Sequence, residues 1–179
     1  MTNTNSTSRV HPTNAIVKDN TGIRVTSAEV ENATNMYAGR LVIQGTDDDD
    51  ITVCGAGGDA VGWLGYEQTA KKWRPATVDT IYTATAKAAV IWGPGIVLVA
   101  SLKSGENVVK GARLCAAASG EVEAADTMAT QSGTTAVVGH AAQPAVIGGI
   151  ASQNIVVAIA EESKDASSGA LDILVRSLI

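Results

Sequence analysis

A glycine-rich stretch is the first candidate for chemistry in this sequence. Gly55-Ala56-Gly57-Gly58-Asp59-Ala60 follows an apolar run and has the form G-x-G-x-x-A of a dinucleotide-binding turn, with Asp79 about 20 residues further on. That motif places a pyrophosphate at a helix N-terminus. Gly62 and Gly65 fall in the segment that would have to be helical, and each costs up to ~1 kcal/mol relative to Ala. We therefore favour a glycine-rich loop in a β protein. A nucleotide- or sugar-phosphate-binding enzyme that uses this loop is the alternative.

A run of four carboxylates, Asp47-Asp48-Asp49-Asp50, lies between two apolar segments. Carboxylate oxygens are the ligands that calcium prefers, but an EF-hand loop also has Gly at position six and Glu at position twelve, and this run has neither. We interpret it as a solvated turn. The sequence thus predicts no metal site and no other cofactor.

Residues suited to nucleophilic or acid–base catalysis are few. The two histidines are His11, near the start of the chain, and His140, in a small-residue run, and no G-x-S-x-G motif occurs. Cys54 and Cys115 lack the paired spacing of a zinc site and are too few for a disulfide framework. We predict no catalytic residue and a protein that is not an enzyme. A structural, hydrogen-bonded His140 is favoured over a general base.

Length and composition limit the class of protein. The 179 residues suffice for one domain and a tail, and 45% are hydrophobic, yet only 3% are aromatic and none is Phe. Small and β-branched apolar residues favour strands. A net charge of −5 is unsuited to binding phosphate backbones, so we predict no nucleic-acid partner. No apolar run approaches the ~20 residues of a membrane helix, and no secretory signal is visible, so we predict no membrane partner.

Three tryptophans, Trp63, Trp73 and Trp92, are the large rigid side chains available to this chain. Such residues concentrate in cores and at protein interfaces. All three are therefore candidate interface anchors as well as candidate core residues.

The first 30 residues are predicted to form an extended N-terminal arm, followed by a β-barrel domain over residues 31–179. Residues 1–14 are mostly Thr, Asn and Ser, and short apolar pairs follow around a turn at residues 19–22. Such an arm can add a strand to the sheet of another protein or pair with its own domain, and both remain open. The candidate contact residues of the arm are Val10, Pro12, Ile16, Val17, Ile23 and Val25.

Short apolar runs separated by turn residues recur through the rest of the chain. They predict strands near residues 41–43, 51–54, 78–85, 89–92, 96–99, 113–117, 121–123, 136–138, 155–160 and 171–176. Ser119-Gly120 predicts a tight hairpin turn, because Gly readily adopts the positive φ that such turns need. Residues 66–73 are the one convincing helical stretch. The pattern is typical of an all-β fold, a small barrel or sandwich with little helix and a Gly-rich insertion at about residues 55–75.

The C-terminal half also resembles a known family. The order Val109-Lys110-Gly111-Ala112-Arg113-Leu114, Ala118-Ser119-Gly120-Glu121-Val122, then Val137-Val138-Gly139-His140-Ala141 is similar to the head decoration (capsid cement) proteins of tailed phages and related viruses. The strands predicted at residues 155–160 and 171–175 resemble the end of the same domain. We find no counterpart for the segment near residues 55–75.

This resemblance implies a small β-barrel that binds the outer surface of an icosahedral capsid and reinforces it where capsomers meet. The implied partners are the major capsid protein and two further copies of this chain in a homotrimer. The implied location is the exterior of a virion assembled in the host cytoplasm. A tail or fibre module is a further possibility, since it shares the β architecture and differs in its place on the particle.

Overall fold

The computed structural model describes residues 15–19, 22–125 and 155–179. Several expectations lie outside these ranges: the arm residues Val10 and Pro12, both histidines, and the strand at residues 136–138. The described residues form thirteen strands and a single short 3-10 turn, Ala118–Gly120. The strands are β1 (Val17–Asp19), β2 (Arg24–Val30), β3 (Leu41–Gln44), β4 (Asp50–Val53), β5 (Gly62–Leu64), β6 (Lys87–Trp92), β7 (Val97–Leu102), β8 (Asn107–Val108), β9 (Arg113–Ala116), β10 (Val122–Ala124), β11 (Val156–Ala160), β12 (Lys164–Asp165) and β13 (Leu171–Ser177). The predicted all-β fold is thus confirmed.

Five strands form a closed barrel in the order β2-β4-β3-β5-β6. The predicted hairpin of β3 and β4 is present, with Val42 opposite Val53. β5 pairs with β3 on one side and with β6 on the other, so it closes the wall between them. The segment at residues 55–75, expected as a Gly-rich insertion, thus contains a strand without which the barrel would be open.

The remaining long strands form a second sheet in the order β1-β7-β10-β9-β11-β13. β13 also pairs with β7, from Leu171 opposite Leu102 to Arg176 opposite Val97. The pairings therefore run in a ring through β7, β10, β9, β11 and β13. The predicted hairpin around Ser119-Gly120 is confirmed, with β9 and β10 antiparallel on either side and positive φ at both turn residues.

One cluster of buried apolar residues extends from the barrel into the second sheet, and a second cluster lies within the barrel. Trp63 of β5 is fully buried, and its indole N–H donates to the hydroxyl of Ser177 in β13 at 3.1 Å. Gly120 of the second sheet approaches β3 and β4, and its N–H donates to the carbonyl of Cys54 at 2.8 Å. These contacts join segments far apart in sequence into one unit.

Two predicted elements are wrong. Residues 66–73 form consecutive turns, because the Arg74 guanidinium and the Thr69 hydroxyl bond carbonyls that a helix would use for its own ladder. Residues 78–85 form no strand. That segment contains a turn closed by the Thr80 N–H and the Thr77 carbonyl, and its φ is positive at Thr85. The buried side chains of Val78 and Tyr82 account for its apolar pattern.

The described part of the predicted arm, residues 1–30, pairs with other strands of the same chain. β1 pairs with β7, and β2 pairs with both β4 and β6 of the same chain. The described part of the predicted arm therefore belongs to the folded domain, because its main chain takes part in both sheets.

Candidate functional site

The glycine-rich loop at residues 55–60 does not lead into a helix. It runs instead into β5, and the N–H of Gly57 donates to the carbonyl of Ala116 in β9 at 2.9 Å. A phosphate-binding turn needs main-chain N–H groups at a helix N-terminus. Asp79, the expected partner of this motif, lines a groove that the loop does not reach. The loop therefore lacks the structural context of a dinucleotide site.

The thiol next to this loop is shielded rather than activated. Cys54 is fully buried, and its Sγ lies 3.3 Å from the carbonyl oxygen of Gly55. Burial, with the nearby charge of Asp59, raises the pKa of the Cys54 thiol. Because the thiolate is the nucleophilic form, this cysteine is protonated at neutral pH and suited to packing.

The acidic run is a surface turn between β3 and β4. The side-chain amide of Gln44 donates to the carbonyls of Asp47 and Asp48 at 2.8 and 2.7 Å, and the Thr46 hydroxyl donates to Glu31. Over the part of the chain that the structure describes, no group of three or more His, Cys, Asp or Glu side chains could hold a metal ion. The turn carries negative charge at the barrel surface.

Asp50→Asn is expected to raise the melting temperature at pH 7. Partial removal from water, together with the charges of Asp47 and Asp49, raises the pKa of Asp50 above its ordinary value of 3.8. Asp50 thus favours the folded state when protonated, and this contribution is lost as the pH rises through the raised pKa. Thermal melts of the two proteins should differ at pH 7 and converge below about pH 4.

The matched control is Asp48→Asn, which changes an exposed residue of the same turn. High salt should also shrink the difference at pH 7, because it screens charges at the surface. An Asp50→Asn protein that melts below the unchanged protein at pH 7 would contradict this account.

The start of the described chain is held by a carboxylate. The N–H groups of Ile16 and Val17 donate to Glu67, the shortest bond being 2.7 Å, and the Ile16 carbonyl accepts from Val99 N–H at 2.9 Å. Ile16 is 2% exposed, so this predicted arm residue faces its own core. No pattern in the sequence pointed to Glu67, which lies in the predicted helix about fifty residues from its partners.

A groove of about 190 Å³ lies beside this anchor. Its polar lining includes Tyr37, Asp79 and Asp172, and Arg40 stands at 5.8 Å from the centre of the Tyr37 ring. Arg40 also pairs with Glu121 at 2.9 Å, which ties the groove wall to the second sheet. Small-molecule sites usually exceed about 300 Å³. The groove is therefore small for a substrate pocket.

The three tryptophans occupy different environments. Trp63, one of the candidate interface anchors, is fully buried in the core. Trp92 is half-buried beneath Arg24, whose guanidinium lies 4.9 Å from the ring centre. Trp73 is 36% exposed on a turn, with the Lys72 ammonium 5.1 Å from its ring. The other arm candidates also differ, since Val17 and Ile23 are half-buried whereas Val25 is 48% exposed.

Comparisons with known proteins complete this description. No protein-family model matches the chain, and no curated protein matches it. Among solved structures it is similar to the N base of head fiber gp8.5 of bacteriophage phi29, with 12% identity and a TM-score of 0.45 over 88% of this chain and 98% of that one. A likeness of this size establishes neither a shared fold nor a shared function. In residues 15–19, 22–125 and 155–179, no helix is long and apolar enough to cross a membrane.

Proposed function

We propose that this protein is a non-enzymatic structural component of a virion that binds the outer surface of an icosahedral capsid and reinforces it at capsomer junctions as a homotrimer. Its partners are the major capsid protein and copies of itself. The observation that carries the proposal is the resemblance of the C-terminal half to capsid decoration proteins. That resemblance is distributed along the chain, through residues 109–122 and 155–175.

The described segments of this resemblance are neighbours in the fold. Residues 113–116 and 122–124 form the β9–β10 hairpin, β11 pairs with β9, and β13 pairs with β11. Their adjacency supports a common domain behind the resemblance.

The described surface is also better suited to binding another protein than to binding a small molecule. The glycine-rich loop has no helix behind it, and the groove beside Ile16 is small. Trp73 combines an exposed ring with the flanking cations Lys71 and Lys72, and partly exposed tryptophans are frequent anchors of protein interfaces. We assign Trp73 to the face that meets the shell.

Trp73→Ala is expected to weaken particle binding at least tenfold while leaving the melting temperature nearly unchanged. Loss of an interface anchor commonly costs about 2 kcal/mol or more of binding free energy. Binding to purified particles is measured by titration and co-sedimentation. Val109→Ala, which changes another exposed apolar residue at 66% exposure, is the control and should bind normally. Equal affinities for the two variants would remove Trp73 from the interface.

Deleting residues 2–14 is expected to lower occupancy on particles without unfolding the barrel. Every pairing between the described strands lies outside that segment, so the deletion leaves those pairings in place. In a trimer the three segments bind the particle together. Weakening every segment therefore lowers the overall affinity for the particle far more than it lowers the affinity of one segment. Occupancy is measured by quantitative mass spectrometry of washed particles, with circular dichroism as the check on folding. Full occupancy after the deletion would exclude this role for the segment.

A further inference from the structure

One edge of the barrel strand β2 is open along most of its length. β2 pairs with β6 from Arg24 opposite Trp92 to Glu29 opposite Lys87. On its other side it pairs with β4 only at Glu29 and Val30. No other strand among the described residues covers the remainder of this edge, residues 24–28, which we call the β2 edge.

The hydrogen-bond pattern shows which main-chain groups face outward. The Val30 N–H donates to Ala86 on the β6 side, whereas the Glu29 N–H donates to Asp49 on the β4 side. Because alternate residues of a strand direct these groups to opposite edges, Val25 and Ser27 present their N–H and C=O groups at the β2 edge.

The hydrogen bonds made by β6, the strand opposite, are consistent with this alternation. Ala89, which faces Ser27, uses its own N–H and carbonyl for Thr69 and Gly65 on the other side of β6. The N–H of Ser27 therefore takes no part in the β2–β6 ladder.

Among the described residues, no proline, bulge or covering strand protects the β2 edge, and its one charged residue is Arg24 at its start. Arg24, Val25, Thr26 and Ser27 are all exposed, and Val25 reaches 48%. Natural proteins shield such edges with Pro, inward-facing charges, bulges or a covering loop. Two β-branched residues, Val25 and Thr26, lie on this unpaired edge. An unpaired edge of this kind can accept an added strand.

The charge around the β2 edge selects a partner. Glu29 lies at its end, and the acidic turn of Asp47, Asp48 and Asp49 lies beside it, since Asp49 accepts the Glu29 N–H. Residues 1–14 of this chain contain no Asp or Glu and include Arg9. The N-terminal segment is thus complementary to the acidic border of the edge.

The same segment is long enough to reach a neighbouring molecule. It precedes Ile16, whose main-chain N–H is held by Glu67. Fourteen extended residues span up to about 46 Å. Residues 24–27 are exposed and no described strand of the same chain covers them, so a second copy can supply the added strand.

We propose that residues 1–14 of one copy bind the β2 edge of a second copy as an added strand. Each copy then gives a segment and receives one, a head-to-tail exchange that closes into a ring. The inference rests on the proposed function, because it names the partner of the arm and the contact that builds the homotrimer. It concerns the isolated protein, so it is tested without any particle present.

The first test is sedimentation velocity of the full chain, the 2–14 deletion and Ser27→Pro at one concentration. We expect an oligomer for the full chain and a monomer for both variants, near 18 kDa for Ser27→Pro and lighter by thirteen residues for the deletion. Proline at position 27 removes an outward N–H, which edge strands tolerate. Thr26→Pro is the control for strand damage, because the Thr26 N–H points to β6, and we expect it to lower the melting temperature. A monomeric full chain, or an oligomer that survives the deletion, would overturn the inference.

The second test identifies the acceptor directly and does not depend on any proline variant folding. Isotopically light Val10→Cys protein carrying a maleimide benzophenone is mixed with unmodified heavy protein and irradiated. We expect light residues near position 10 to be cross-linked to heavy residues 24–28. Cross-links only within light chains at low light fraction would show that each arm binds its own domain. Correct cross-links together with no binding to particles would leave the inference standing and contradict the proposed function.

Discussion

Trp63→Ala is expected to lower the free energy of unfolding by about 3–5 kcal/mol, the usual cost of removing a buried tryptophan. Trp63 is fully buried in β5, and its strand pairs it with Leu41 and Ile91. Its indole N–H also reaches Ser177, 114 residues later in the chain. The variant would therefore leave a cavity where the barrel meets the second sheet. It would also remove the hydrogen bond that joins β5 to β13.

The measurement is equilibrium urea denaturation followed by far-ultraviolet circular dichroism. Ser177→Ala separates the hydrogen bond from the packing, because it leaves the indole in place with an unpaired N–H, at a cost of about 1–3 kcal/mol. Trp92→Ala is the size-matched control at a half-buried position and should cost clearly less. A loss for Trp63→Ala no greater than that for Trp92→Ala would contradict the shared core.

Gly120→Ala is expected to be the second most damaging change. Its φ is +70°, and a Cβ there would lie 2.6 Å from the Leu41 carbonyl oxygen and 2.8 Å from Val53. The left-handed backbone costs about 1–3 kcal/mol for a residue with a side chain. Forcing β3 and β4 away from the turn adds about 1–3 kcal/mol more.

Gly111→Ala separates these two effects. Gly111 also has a positive φ, of +88°, but no atom lies within 4 Å of the position that its Cβ would take. Urea melts should therefore show a smaller loss for Gly111→Ala than for Gly120→Ala. Equal losses would mean that the turn does not press against the barrel as closely as the structure has it.

Local patterns in the sequence were sufficient for the hairpins but not for the closure of either sheet. Alternation around Ser119-Gly120 predicted β9 and β10, and the acidic turn predicted β3 and β4. The pairing of β13 with β7 joins residues about seventy positions apart, and no single segment encodes it. The strand β5 was missed because its three residues begin with Gly62, whose Cβ would meet Ile91 and Val90. Glycine occupies position 62 because β6 packs closely against it, and not because the segment is a loop.

Hydrogen bonds to side chains explain why the helix predicted at residues 66–73 does not form. Residues 66–73 have a helical composition, yet the Thr69 hydroxyl accepts the Ala89 N–H and the Tyr82 hydroxyl donates to it. Burial raises the pKa of Tyr82 to about 12, which keeps this hydroxyl a donor. A polar network with β6 thus determines the turn, and such a network is invisible in periodicity.

For the candidate sites too, residue type could be read from the sequence but position in the fold could not. Residue type identified the tryptophans as anchors, but only the fold distinguishes buried Trp63 from exposed Trp73. The apolar arm residues likewise separate into Ile16, held by Glu67 against the core, and Val25 at the open edge of β2. Hydrophobicity alone could not distinguish these positions, because each depends on which distant strand lies beside it.

The measurement that tests the central claim most directly is density-gradient sedimentation of a lysate from the producing culture, with this protein quantified against the most abundant protein of the fast-sedimenting fraction. The account predicts co-migration with a large particle at a fixed, high copy ratio that survives washing. Recovery of the protein only in the slow fractions, while intact particles sediment without it, would contradict a place on the capsid.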